Sequence, residues 1–106
     1  MIEGGRGKDQ SKPLPGFPVR VRELRILNRL GIHARPAASF AKIASQFQAD
    51  IRVQKDGLDV NGKSIMGIMM LAAAQGNVIR ILAEGADAEE ALAAIEGIVL
   101  SKFGEE

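Results

Sequence analysis

The chain contains one histidine and no cysteine, so the side chain best suited to making and breaking a covalent bond is that of His33. It stands in GIHARPAASFAKIASQF, residues 31–47, with Gly31 two positions before it, Arg35 two after and Pro36 three after. A lone histidine in such a place ordinarily caps a helix or satisfies a loop, but three neighbours point further. A helix starting at or just after His33 turns unpaired N–H groups and the positive end of its dipole toward the ring, which favours an anion there. Arg35 adds a fork of donors matched to phosphoryl oxygens, and Gly31 permits close approach. An imidazole with the ordinary pKa near ~6.5 is largely neutral and nucleophilic at neutral pH, and a phosphorylated ring nitrogen readily gives up its group. The expected chemistry is transient phosphorylation of His33, with the dipole and Arg35 each worth about 1 kcal/mol to the charged form. One His and no Cys leave no ordinary zinc or copper ligand set, and no metal or other cofactor is expected.

A second motif offers a competing chemistry. GLDVNGKS, residues 57–64, satisfies the G-x-x-x-x-G-K-S pattern of a P-loop and lies between an expected strand and an expected helix. On that reading the chain is a small nucleotide hydrolase whose nucleotide affinity depends on Lys63. The residues themselves oppose it. Asp56-Gly57 and Asn61-Gly62 are both tight-turn pairs, so the stretch between them should be a short strand and not a phosphate cradle. Asp59 would sit badly beside a triphosphate, and the later strand supplies Glu84 but not the usual metal-holding Asp.

The elements that must position His33 follow from periodicity. The domain should begin near residues 19–21, where Leu24 and Ile26 alternate with polar neighbours as in a first strand. Phe40, Ile43, Ala44 and Phe47 fall at i, i+3, i+4 and i+7, predicting an amphipathic helix over residues 34–47 with Pro36 in its first turn. Ile51 and Val53, the turn at 56–57 and Val60 read as a hairpin. Ser64 is a candidate N-cap for the short apolar helix IMGIMMLA, and VIRILAE reads as a buried strand. Asp87, with Glu90 three residues on, predicts a capping box for a last helix that buries Ala88, Leu92, Ile95 and Val99. The order is β α β β α β α, which implies an α/β fold of the α+β kind: one four-stranded sheet with its helices on one face, an open-faced sandwich.

Composition bounds the rest. At 106 residues, with 46% hydrophobic and 25% charged, the chain suits one compact domain. No apolar run approaches the ~20 residues of a membrane-spanning helix. Residues 1–20 carry four basic and two acidic side chains, and residues 21–106 ten basic and eleven acidic, so the folded part is near neutral. With only Phe among the aromatics and no basic stripe, nucleic-acid binding is disfavoured. Residues 1–19 hold three of the four prolines and four glycines without hydrophobic periodicity, which predicts a flexible extension before a domain at 20–106. That segment lacks the apolar core of a secretory signal, and a cytoplasmic protein is expected.

GIHARPAA and NGKSIMGIMML, at this separation and in this element order, resemble the histidine-containing phosphocarrier (HPr) family of the bacterial phosphoenolpyruvate-dependent phosphotransferase system. The likeness spans about residues 20–103. It implies an antiparallel sheet and a monomeric carrier that is a substrate of enzymes and not itself an enzyme. It implies that His33 is phosphorylated at Nδ1 beside Arg35, that phosphorylated enzyme I is the donor, and that a sugar-specific or regulatory IIA protein is the acceptor. A nitrogen-related branch with the same chemistry and other partners is the alternative. Ser64 matches a serine that a dedicated HPr kinase/phosphorylase modifies in many bacteria. Residues matching Ile65, Met66 and Met69 form a docking patch, around which Arg35, Lys42 and Lys63 would place positive charge.

Overall fold

Alternating burial along the strands gives the sheet one apolar face and one wet face. The computed structural model describes residues 16–105. Its elements are β1 (Arg20–Arg25), α1 (Ala34–Ala44), β2 (Asp50–Lys55), β3 (Leu58–Asn61), α2 (Ile65–Met70), β4 (Val78–Glu84) and α3 (Ala88–Leu100), followed by a 3-10 turn at Lys102–Gly104. Of the extension expected over 1–19, residues 1–15 lie outside the described part; the first strand begins at Arg20.

The sheet is antiparallel throughout in the order β1-β4-β2-β3. Leu24, Ile79, Ile81, Ile51 and Val53 point to one face and are buried against Phe40, Ala44, Ile68, Leu92, Ile95 and Val99 from the helices. The opposite face is polar and carries the Arg52–Asp59 pair. β4 is therefore buried on one side only: Val78 and Arg80 are exposed while Ile79 and Ile81 are not. VIRILAE thus forms the expected strand, with Ile79, Ile81 and Ala83 buried beneath the helices and the second face left uncovered.

Two local expectations are corrected. α1 ends at Ala44, not at residue 47, although Phe47 still packs on the core from the following turn. Asp87 precedes α3 but makes no side-chain cap to it. Its two carboxylate oxygens instead accept the backbone N–H groups of Gln48 and Ala49, both at 2.8 Å. The α1–β2 turn thus takes the carboxylate that a capping box with Glu90 would have used, and Glu90 is exposed.

The Gln48 amide foremost, then the Ala49 amide and the Lys63 charge, hold the Asp87 carboxyl below the usual carboxylate range, with burial working the other way. A carboxyl depressed in the folded state stabilises the fold above the unfolded pKa near ~4, and that contribution disappears as pH falls through the lower folded value. Asp87→Asn is accordingly expected to melt below the parent at neutral pH, with the gap narrowing as denaturation is followed below about pH 4. A gap independent of pH would show that the charge is not what these amides hold.

Candidate functional site

Gly31 takes φ +70, and its N–H closes a turn onto Asn28 O at 3.1 Å. Ile32 N donates to Ala73 O at 2.9 Å, tying this loop to the segment after α2. The chain then enters α1 with His33 as the N-cap residue in extended conformation; its carbonyl accepts the Ala37 N–H at 2.9 Å, and its side chain makes no cap hydrogen bond. The imidazole is thus left for other partners. Ala34 and Arg35 have no carbonyl four residues back inside the helix, and Pro36 has no N–H to lose. There is no acidic side chain in the first turn to occupy that end of the dipole.

His33 is 41% exposed and lines a depression of about 400 Å³ with Arg29, Leu30, Arg35, Gly104 and Glu105. Two guanidinium groups therefore border the one imidazole. Neither Arg29 nor Arg35 forms an ion pair with a carboxylate among the described residues. His33 Nε2 lies 2.9 Å from Glu105 Oε2, and Glu105 Oε1 accepts from Asn28 Nδ2 at 3.0 Å. An anion arriving at the free side of the ring would meet helix amides and arginines together.

The second group of residues lies on α2. Ser64 caps this helix as the sequence suggests, its Oγ accepting the Gly67 N–H at 3.0 Å. Ile68 and Leu71 are buried, while Ile65, Met66, Met69 and Met70 are 46%, 70%, 40% and 63% exposed; six residues cannot turn every apolar side chain inward. Lys42 is exposed in the last turn of α1. Lys63 is not a free rim charge, since its Nζ donates to Phe47 O at 2.8 Å. The same fact bears on GLDVNGKS: Leu58–Asn61 is a strand paired with Arg52–Lys55, and the motif's lysine is turned onto a backbone carbonyl. No phosphate cradle exists there.

Arg29, Leu30, Met70, Asn28 and Glu105 were not singled out by the sequence. Arg29 and Leu30 had a local signal, because they fall in the turn that leads into His33. Glu105 had none: it lies 72 positions away, and only the return of α3 toward the start of α1 brings it there.

The described geometry has close counterparts. Residues 21–100 match the family model described as the PTS HPr component phosphorylation site. The phosphocarrier protein HPr of Neisseria meningitidis is 48% identical over 84 residues, covering 79% of this chain and 94% of that one. That of Treponema pallidum is 46% identical over 86 residues, covering 81% and 98%. The crystal structure of HPr-C-His from Thermoanaerobacter tengcongensis superposes with a TM-score of 0.79 at 52% identity, covering 82% of this chain and 98% of that chain. With its single histidine at the start of α1 and this match over most of its length, the chain belongs to the HPr family of phosphocarriers of the phosphotransferase system.

Proposed function

We propose that His33 accepts a phosphoryl group at Nδ1 from phosphorylated enzyme I and passes it to IIA proteins that serve sugar uptake and its regulation. The observation that carries this reading is the place of the ring: half-exposed, at a helix start with unpaired amides, in a depression bordered by Arg29 and Arg35. A dianionic group bound there gains charge-assisted hydrogen bonds while staying within reach of a partner. The chain acts as a carrier in the cytoplasm, as a monomer and without a cofactor; among the described residues no helix is long and apolar enough to cross a membrane.

Docking falls to the exposed side chains of α2. Ile65, Met66 and Met69, with Met70 and Leu30 alongside, offer flexible apolar surface that can fit several partners in turn. Arg35 and Lys42 supply positive charge toward acidic partner surfaces. Incubation with enzyme I and phosphoenolpyruvate should add one acid-labile phosphoryl group, mapped to His33 by mass spectrometry. No labelling, or labelling elsewhere, would defeat the proposal.

Ser64 is the regulatory position in this reading, a substrate for an HPr kinase/phosphorylase. A phosphate at a helix N-terminus suits the local dipole, so its effect would fall on the neighbouring docking residues Ile65 and Met66. The hydroxyl has its own structural part through Gly67. Ser64→Ala is expected to lower unfolding free energy by about 1 kcal/mol through the lost cap, read from a denaturation curve, with His33 labelling retained. Loss of that labelling would show that Ser64 belongs to the acceptor site itself.

A further inference from the structure

The Glu105 carboxylate both touches the His33 ring and is itself held from the core. The Asn28 amide donates one hydrogen to Glu105 Oε1 at 3.0 Å and the other to Gly31 O at 2.7 Å. Asn28 is fully buried, and its Oδ1 has no hydrogen-bond partner. The side chain is therefore committed to donating in two directions, and its two acceptors fix which way the amide points. Glu105 in turn is only 15% exposed and sets its second oxygen 2.9 Å from His33 Nε2.

We propose that Asn28 and Glu105 are positioning residues that hold the His33 proton on Nε2, leaving the lone pair on Nδ1 for the phosphoryl group. This rests on the reading of His33 as the acceptor and states what selects the accepting nitrogen. An ionised carboxylate can only accept, so the hydrogen between Oε2 and Nε2 belongs to the ring. The Nδ1 pair then attacks phosphorus: the Nδ1–P bond forms as the donor's bond to phosphorus breaks, and the bonding pair returns to the donor. The ring keeps its Nε2 proton throughout, and the cationic phosphorylated imidazole faces Glu105. When an acceptor takes the group, the Nδ1–P pair returns to Nδ1. Neither direction waits on a proton.

Glutamine at 105 separates this role from simple packing. It has one acceptor oxygen for two donors, Asn28 Nδ2 and His33 Nε2. The buried Asn28 keeps that oxygen, because an unpaired buried donor costs more than an unpaired half-exposed one. The glutamine NH₂ then faces Nε2 and favours the opposite tautomer. A packing role predicts that the near-isosteric Glu105→Gln behaves better than Glu105→Ala; tautomer control predicts that it behaves worse.

The test measures imidazole ¹⁵N shifts in alkaline buffer and the rate of phosphorylation by enzyme I. The parent should show Nε2–H and Glu105→Gln a shift toward Nδ1–H, with rates in the order parent, Ala, Gln. The Gln variant should be slower than the parent on the order of tenfold. That is far below the ~10⁴ lost when a protease triad aspartate becomes asparagine, since the half-exposed ring exchanges tautomers through water. Glu105→Gln that keeps the Nε2 proton, or that is phosphorylated at least as fast as Glu105→Ala, overturns the inference. The tautomer is read without any phosphorylation, so failure of the parent to be labelled would count against the carrier reading alone.

Discussion

Replacing His33 by alanine is expected to abolish phosphoryl acceptance from enzyme I and phosphoenolpyruvate while leaving the domain folded. No second imidazole and no thiol exists in the chain, and a serine hydroxyl without an adjacent base is too weak a nucleophile at neutral pH to substitute. The loss should therefore reach the detection limit, unlike the partial loss expected of a positioning residue. The fold is spared because the histidine caps α1 with its main chain: Ala37 N bonds the His33 carbonyl, and the ring makes no cap bond. What alanine removes is the contact with Glu105 at a half-exposed ring, and such pairs contribute about 0–1 kcal/mol. Labelling should be measured by intact mass and melting by circular dichroism on the same sample. A variant that is folded and still labelled would remove His33 from the acceptor role.

What the sequence made legible was local. Asp56-Gly57 and Asn61-Gly62 mark the ends of β3 because each turn needs its residue types within four positions, and the i, i+3, i+4 spacing of Phe40, Ile43 and Ala44 marks one helix face for the same reason. His33 and Arg35 could be paired because they lie two residues apart at the same helix start. Where the reading failed, a distant partner had won. Asp87 has the right residue type and spacing for a capping box, yet its oxygens went to amides 38 and 39 positions earlier. Glu105 and Asn28 were invisible for a related reason: a glutamate is ordinarily solvated, and no neighbour in the sequence says that a buried asparagine amide holds this one.

Gly31→Ala is expected to be among the most damaging single-methyl changes, and its cost can be divided. At φ +70 a residue with a Cβ is strained, which costs about 1–3 kcal/mol. The added carbon would also lie 2.5 Å from Ala73 O and 2.9 Å from Ala74 Cα. Both are backbone atoms and cannot rotate away. Ala73 O is the acceptor for Ile32 N, so the methyl pries apart the contact that ties the loop before His33 to the segment after α2, at a further cost of about 1–3 kcal/mol. Against a total stability of about 5–15 kcal/mol, with each kcal/mol worth roughly 4–8 °C in a domain of this size, Tm should fall by at least about 8 °C. Gly57→Ala is the matched comparison: its φ is +84, and nothing lies within 4 Å of the added carbon. It bears the conformational cost without the collision. Because His33 and the exposed α2 side chains are held in register through this contact, Gly31→Ala should also slow phosphoryl acceptance below the melting range, whereas Gly57→Ala, in the β2–β3 turn, should not. Equal melting shifts for the two variants would mean that the 73–74 segment yields to the methyl and does not fix the position of His33.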